Sequence, residues 1–216
     1  MKKSVLLFLT HICITGTAPA QVLKISNGMA INMLRSKYIK IFDHGLPSYA
    51  GSLGLEYGHR KHSYLSSEIG YLQTGGKTTY SDAQGMPQEV KESWSYAHLN
   101  TTFRVKGISK GTEFYAGAGP YLNLLVGSDK FKHELYGDGY TLKRVYGGGK
   151  VELGLNRDIH KIRIGLNGAY LFSLSPVAES SYTNVKAHVF TVTLGVGYKL
   201  TRHYPATQNT PGPEDR

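Results

Sequence analysis

The stretch Tyr49-Ala-Gly-Ser-Leu-Gly-Leu-Glu-Tyr-Gly58 shows the two-residue periodicity that decides the fold of this chain. Leu53, Leu55 and Tyr57 share one side of it, and the residues between them are small or charged. Successive side chains of a strand point to opposite faces of a sheet. The alternation therefore predicts a strand with one apolar and one polar face.

The same alternation recurs along the chain and predicts eight strands. They cover residues 23–34, 49–58, 64–72, 96–105, 114–126, 145–155, 162–172 and 188–200. Short turns are predicted near 59–62, 107–111 and 156–160, and longer polar loops near 35–46, 74–92, 127–142 and 173–184. An even strand number with short turns at one end and long loops at the other is typical of outer-membrane barrels. The predicted fold class is all-β: a closed eight-stranded antiparallel transmembrane β-barrel with short periplasmic turns and longer extracellular loops.

The composition agrees with a single all-β domain. The 216 residues include 26 glycines and 16 tyrosines, and a glycine content this high disfavours long helices. One cysteine, Cys13, excludes a disulfide scaffold. The net charge of +10 is spread without a basic aromatic cluster, which indicates affinity for anionic lipid headgroups and no nucleic-acid partner.

The N-terminus has the pattern of a signal peptide. A basic start precedes a mostly apolar stretch at 5–14, and small residues lead to a cleavage site between Ala20 and Gln21. The apolar stretch is too short for a membrane-spanning helix, which needs about 20 residues. We expect export to the outer membrane of a Gram-negative bacterium. The expected organisation is a signal peptide at 1–20, a barrel domain at 21–204 and a disordered periplasmic tail at 205–216.

The two faces of the predicted strands differ in charge. The polar face is expected to point inward and to form a lumen ion-pair network of Lys24, Glu56, Glu68, Arg104, Lys150, Glu152, Arg163 and Lys199. Tyrosines bracket the apolar face and are expected to form interface girdles: Tyr49, Tyr57, Tyr71, Tyr170 and Tyr198. Tyrosine collects where lipid tails meet headgroups, so the apolar face is predicted to contact lipid. The alternative is a soluble exported, lipocalin-like ligand binder whose apolar face points inward.

The lumen of an eight-stranded barrel is only wide enough to be filled by side chains. Inward glycines then make room for large neighbours such as Arg104 and Tyr146. An unpaired buried charge costs several kcal/mol, so each inward acid should be paired with a base. The simplest hypothesis is a plug of polar and charged side chains that closes the lumen. A gate or proton-linked site is the alternative.

Glycine and tyrosine motifs of the chain resemble those of a known family. The matching stretches are Gly51-Ser-Leu-Gly-Leu-Glu-Tyr57, Ser66-Ser-Glu-Ile-Gly-Tyr71, Ser95-Tyr-Ala-His-Leu-Asn100, Gly117-Ala-Gly-Pro-Tyr-Leu122, Gly147-Gly-Gly-Lys-Val-Glu-Leu-Gly154 and Thr193-Leu-Gly-Val-Gly-Tyr198. With these motifs the chain resembles the PorT-like group of small outer-membrane β-barrel proteins of Bacteroidota-type bacteria. The resemblance implies an integral outer-membrane barrel, with some members linked to secretion or surface assembly, and it carries over no catalytic residue. Family members tend to end at the aromatic residue of the last strand, whereas this chain continues beyond Leu200.

Two groups of residues are candidates for chemistry. His188, with Ser180 and Ser181 in the preceding loop, offers a base and a nucleophile for a lipid-modifying acyl hydrolase or transferase, but the sequence places no acidic partner beside them. His59 and His62 flank two basic residues in a short turn, where a metal site needs further ligands. We expect no catalytic residue, no metal site and no cofactor.

The expected function is that of a non-catalytic integral outer-membrane barrel with a structural, surface-interaction or secretion- and assembly-related role. The expected partners are outer-membrane lipids, the barrel-assembly machinery, and a surface or secretion partner that contacts the loops at 74–92 and 127–142. The lipid-modifying enzyme is the first alternative, and the soluble ligand binder is the second.

Overall fold

The computed structural model describes residues 21–36, 42, 44–81, 85–127, 141–180 and 183–200. The expected signal peptide, which ends at Ala20, and the expected tail at 205–216 lie outside these ranges and stay predictions. Within the described residues, no helix is long and apolar enough to cross a membrane.

The described part of the chain contains ten strands. Eight are long: β1 (Val22–Ser36), β2 (Leu46–Tyr57), β3 (Ser63–Ser81), β4 (Pro87–Ser109), β5 (Thr112–Leu125), β7 (Val145–Ile159), β8 (Ile162–Ser173) and β10 (Asn184–Lys199). Two have only two residues each: β6 (Thr141–Leu142) and β9 (Ala178–Glu179).

The eight long strands form a closed ring in which each strand pairs antiparallel with both neighbours. The order is β1-β2-β3-β4-β5-β7-β8-β10, and β10 closes the ring on β1 from Val22↔Lys199 to Ser36↔Val185. Strand β9 pairs with β10, and β6 pairs with β9. Closure leaves the ring no free edge, which a lipid environment requires. The predicted closed eight-stranded antiparallel barrel is confirmed.

Short turns close three hairpins at one end of the barrel, here named the turn end. Two of these turns have two residues each, Lys110-Gly111 and His160-Lys161. Lys110 and Gly111 have φ angles of 49° and 77°, in the left-handed region that two-residue hairpin turns require. The strands run closer to these turns than the sequence predicts. The opposite end, which carries the longer connections, is named the loop end.

The sequence-based prediction of a loop at 74–92 is wrong. Strands β3 and β4 continue through this range and pair as far as Ser81↔Pro87. The paired segment that extends beyond the barrel, residues 75–81 and 87–93, is named the β3–β4 ribbon. Most of its side chains are polar: Thr78 and Glu92 on its inward face are buried, and its outward face carries Lys77, Glu89 and Lys91. Hydrophobic alternation, which identifies strands in a sequence, is therefore missing there.

The outward face of the barrel is an apolar band. Its members include Leu153 (68% exposed), Leu194 (65%), Ile25 (59%), Ile69 (58%) and Val196 (58%). The inward face carries the charges, so the structure does not fit the soluble lipocalin-like alternative, whose apolar face is inside. Single-chain barrels with an apolar exterior belong to the Gram-negative outer membrane, in agreement with the expected location.

The lumen is divided into two tiers along the barrel axis. Near the turn end the inward side chains are charged or polar and form the charged tier. Near the loop end they form a hydrophobic core, the apolar tier: Ala30, Leu34, Phe42, Ala50, Leu72, Trp94, Tyr96, Tyr121, Leu142, Tyr146, Ala169, Leu171, Val177, Ala178, Val185, Ala187 and Val189. The expectation that polar and charged side chains close the lumen therefore describes only the turn-end half.

Gly119 of β5 marks a place where two strands approach closely. A Cβ atom added there would lie 1.9 Å from the Thr101 carbonyl oxygen of β4 and 2.8 Å from the Thr102 Cα. Both neighbours are backbone atoms, so a side chain at this position would require the sheet itself to move.

Gly119→Ala is expected to lower the free energy of unfolding by about 1–3 kcal/mol because the new methyl group clashes with the β4 backbone. The measurement is the fraction of barrel with heat-modifiable gel mobility after refolding into detergent micelles, followed over a urea series. Gly107→Ala is the matched control, since a Cβ there meets nothing within 4 Å. Equal urea midpoints for the two variants would contradict the proposed close approach.

Candidate functional site

Arg104 of β4 is the centre of the charged tier. Its side chain is fully buried, and it donates hydrogen bonds to three carboxylates on three other strands. These bonds run from Nε to Glu152 Oε1 (2.5 Å), from Nη1 to Glu56 Oε1 (3.1 Å) and from Nη2 to Glu68 Oε1 (3.3 Å). The guanidinium carbon lies 4.6 Å from the ring centroid of Tyr115, within the range of a cation–π contact. One guanidinium thus ties β4 to β2, β3 and β7.

Two lysines supply the remaining positive charge around these carboxylates. Lys24 of β1 donates to Glu68 Oε1 at 2.6 Å. Lys150 Nζ of β7 lies 2.9 Å from Glu152 Oε2 and 3.4 Å from Glu68 Oε2. Glu68 and Glu152 therefore each contact at least two cationic groups, which offsets the cost of removing them from water.

Arg163 of β8 extends the network toward the turn end. Its Nη1 lies 2.7 Å from Glu56 Oε2 and 3.5 Å from Glu113 Oε1, and its Nε lies 2.9 Å from Asp158 Oδ1. Lys199 lies at the rim, where its Nζ is 2.6 Å from Asp158 Oδ2 and its side chain is 28% exposed. Asp158 thus joins Lys199 to the buried charges.

The structure brings seven of the predicted network residues into one buried cluster and places Lys199 at its edge. Sequence reasoning missed three members: Lys106, Glu113 and Asp158. Lys106 Nζ lies 3.4 Å from Glu113 Oε2, and Asp158 links Arg163 to the rim. All three continue the inward parity of their strands beyond the predicted strand ends. Extending the alternation by a few residues would have found them.

His98 connects the two tiers through hydrogen bonds that define its protonation. The Asn100 amide donates to His98 Nε2 at 3.0 Å and its carbonyl oxygen accepts from Lys150 Nζ at 3.2 Å. With Nε2 accepting, the proton of a neutral His98 lies on Nδ1 and is donated to Asn123 Oδ1 at 2.6 Å. His98 therefore serves as a neutral link and not as a metal ligand or a free base.

His59 covers the turn end of the lumen. Its ring stacks on Tyr64 with centroids 4.6 Å apart, and Lys106 Nζ lies 3.2 Å from its Nδ1. Ammonium groups only donate, so Nδ1 accepts and the imidazole is neutral. Burial, followed by the positive charges of Lys106 and Arg163, lowers the pKa of His59 from 6.5 to about 4. Among the described residues, no group of histidines, cysteines and acids is suited to hold a metal ion.

Aromatic side chains pack the apolar tier. Tyr146 lies edge-on to Tyr96 and Tyr121, with ring centroids 4.9 and 6.2 Å away. Phe42, from the connection after β1, lies edge-on to Trp94 at 6.5 Å. Residues from β6 and β9 complete the cover at the loop end.

A cavity of about 40 Å³ lies where the two tiers meet. Polar side chains line it, among them Glu68, His98, Lys150, Asn167 and Thr191. Asn167 Oδ1 has no hydrogen-bond partner among the described atoms, which suits a bound water. A space of this size holds a few water molecules and no organic substrate.

The predicted girdle tyrosines lie on the outward face. At the loop end, Tyr71 exchanges a 2.6 Å hydrogen bond with Ser95, and Tyr49 lies beside it with ring centroids 6.1 Å apart. The Tyr170 hydroxyl lies 2.7 Å from His188 Nδ1. At the turn end, Tyr198 is 49% exposed. The Tyr57 hydroxyl is held in a hydroxyl chain with Ser67 and Thr101, at 2.9 and 2.8 Å.

Of the candidates for acyl chemistry, His188 and Ser180 have separate hydrogen-bond partners. His188 pairs with Tyr170, whereas the Ser180 hydroxyl donates to the Thr183 carbonyl oxygen at 3.3 Å. Ser181 lies outside the described residues. His188 therefore belongs to the aromatic interface, where its ring stacks against Tyr170 with centroids 6.0 Å apart.

The closed ring, the apolar exterior and the charged interior define an integral outer-membrane β-barrel. No protein-family model and no curated protein matches the chain. Among solved structures, it is similar to OprG of Pseudomonas aeruginosa, with 13% identity, a TM-score of 0.47 and coverage of 83% of this chain and 97% of OprG.

Two further solved structures have comparable values. Neisserial surface protein A is 13% identical, with a TM-score of 0.45 and coverage of 82% of this chain and 96% of that protein. Ail, the attachment invasion locus protein of Yersinia pestis, is 14% identical, with a TM-score of 0.44 and coverage of 83% and 99%. These similarities concern the fold. The more specific resemblance to the PorT-like group stays a proposal.

Arg104→Met is expected to destabilise the barrel by about 3–5 kcal/mol, because it leaves buried carboxylates without their shared cation. The measurement is the urea midpoint of heat-modifiable mobility in detergent micelles. Arg157→Met, an exposed arginine on β7, is the matched control and should keep the wild-type midpoint. If both variants unfold at the wild-type midpoint, Arg104 is not the centre of the network.

His59 is expected to make the barrel less stable as the pH falls. The folded state keeps the imidazole neutral to about pH 4, whereas the unfolded chain takes up a proton near pH 6.5. Protonation therefore favours unfolding progressively between these values, by at most about 3 kcal/mol. His59→Phe, which preserves the ring over Tyr64, should remove this part of the dependence when urea midpoints are compared between pH 7 and pH 4.

The control is His62→Phe, which changes an exposed histidine of the same turn and should keep the wild-type pH dependence. Identical slopes for wild type and His59→Phe would show that the fold does not hold His59 neutral.

Proposed function

We propose that this protein is a non-catalytic outer-membrane barrel whose lumen is a structural plug and whose loop end interacts with a surface or secretion partner. The observation that carries the proposal is the filling of the lumen by two dissimilar tiers. Arg104 and its carboxylates close the turn-end half, and packed aromatic rings close the loop-end half. The cavity between them is too small for a substrate.

The charge arrangement supports a plug over a gate. A gate requires charged groups with an alternative partner or contact with water. Here Glu56 and Glu152 are fully enclosed and each contacts two or more cationic groups. Opening the lumen would expose or separate these pairs, at a cost of several kcal/mol.

The β3–β4 ribbon supports an interaction role. It continues past Leu72, the last residue of β3 paired with β2, for about 30 Å along the strand. Ion pairs bridge its outer face, with Glu89 lying 3.3 Å from Lys77 and 3.5 Å from Lys91. The Met86 side chain near its tip is 62% exposed. The outer face and the tip of the ribbon offer a surface to a partner. The PorT-like resemblance favours a secretion or surface-assembly partner.

Purified barrel added to a planar lipid bilayer should give no stepwise conductance, since the lumen is filled. A second sample, in which residues 79–89 are replaced by Asn-Gly to join the paired residues Thr78 and Val90, should still fold and stay non-conducting. On cells, the shortened ribbon should lose surface partners that are cross-linked and recovered with the wild-type chain.

Three outcomes contradict the proposal. Persistent current steps would show an open lumen, and unchanged partner recovery would show that the ribbon is not the contact surface. Turnover of an outer-membrane lipid by wild type that is lost in His188→Ala would favour the lipid-modifying enzyme instead.

A further inference from the structure

Two basic residues lie directly opposite each other on the outside of the barrel. Arg35 of β1 pairs in register with Lys186 of β10, and both side chains are exposed. They share outward parity with Met33, which is 47% exposed toward lipid. Like charges facing each other across two strands are destabilising unless an anion lies between them.

No described acid neutralises this pair. Glu179 of β9 is a described acid on a strand that pairs with this part of β10, where it lies opposite Asn184. Its carboxylate is already bound by Lys143. Arg35 and Lys186 form no ion pair within the described part of the barrel, so they are available to an external anion.

The surface on the membrane side of the two cations is suited to a lipid. On β1 the outward residues below Arg35 are Met33 and Ile31, and on β10 those below Lys186 are His188 and Phe190. Ile31 and Phe190 are 40% and 46% exposed. The two strands thus form an apolar lane that ends in two positive charges at the loop end.

Tyr170 and His188 mark the depth of the headgroup region along this lane. Their 2.7 Å hydrogen bond satisfies both polar atoms at the border between the apolar band and the cations. Tyrosine adopts this position where lipid tails meet headgroups. Lys186 is the next outward residue of β10 beyond His188, and Arg35 lies opposite it, so both cations lie at the level of lipid phosphates.

We infer that Arg35 and Lys186 form a binding site for the phosphate group of an outer-leaflet lipid, whose acyl chains lie along Met33, Ile31 and Phe190. A guanidinium and an ammonium are the cations best suited to phosphate. Free phosphate offers the same anionic chemistry, but two water-exposed cations alone bind it weakly. The apolar lane therefore favours a lipid. The inference depends on the barrel's orientation in the membrane and not on the role of the ribbon or the plug.

The test compares Arg35→Gln/Lys186→Gln with Arg157→Gln/Lys161→Gln, which removes the same charge from exposed positions near the turn end. Native mass spectrometry from non-ionic detergent micelles would record the barrel with diphosphorylated lipid A, with its dephosphorylated form, and with millimolar inorganic phosphate as competitor. The wild type and the control should retain the diphosphorylated lipid. The Arg35/Lys186 variant should retain about tenfold less, and inorganic phosphate should not displace the lipid.

The urea midpoint gives a second readout, because Lys186→Gln should have opposite effects without lipid and with it. Without lipid, Lys186→Gln should raise the urea midpoint, because it removes the like-charge pair; with diphosphorylated lipid A, it should lose the stabilisation seen in wild type. Equal retention by the two double variants, equal binding of the dephosphorylated lipid, or displacement by inorganic phosphate would each overturn the inference. So would a lipid-dependent rise in midpoint that is the same in wild type and Lys186→Gln.

Discussion

The contact between Arg104 and three carboxylates is the constraint on which the rest of the barrel depends. One side chain from β4 meets Glu56 from β2, Glu68 from β3 and Glu152 from β7. The register of each of these strands must place its carboxylate at the same depth. A slip of one residue would turn the carboxylate toward lipid. The guanidinium therefore fixes the alignment of strands that are not all neighbours in the ring, which backbone hydrogen bonds cannot do.

The lumen changes character along its length because its two ends meet different requirements. At the turn end, short hairpins leave little covering structure, and ion pairs capped by His59 close the barrel. At the loop end, Phe42, Leu142 and Val177 reach over the barrel from longer connections. An apolar filling is stable there because these residues keep water out. The loop-end half therefore resembles the core of a soluble protein, although its wall faces lipid.

The sequence was sufficient for the ring and for most of the charged tier, because lipid outside and charge inside produce a strict alternation. It was insufficient wherever one of these conditions fails. Residues 184–192 of β10 carry apolar residues on both faces, so parity alone does not show that Val185, Ala187 and Val189 form a core. The β3–β4 ribbon lies beyond the lipid band and lacks alternation altogether. Glu113 and Asp158 lie beyond the predicted strand ends.

Buried ion pairs rarely stabilise a protein more than well-packed apolar residues do, so the charged tier needs another explanation. If both tiers were apolar, the inner and outer faces of the strands would have similar polarity, and lipid would not favour one face over the other. An arginine or lysine on the lipid side costs about 2–4 kcal/mol at the bilayer midplane and about 0–1 kcal/mol near the interfaces. In an inverted barrel Lys24, Arg104, Lys150 and Arg163 would all face lipid, and each would add a cost set by its depth. The charged tier therefore determines which face turns inward. The same strands continue into the apolar tier, so the charged tier also determines which of their residues face inward there.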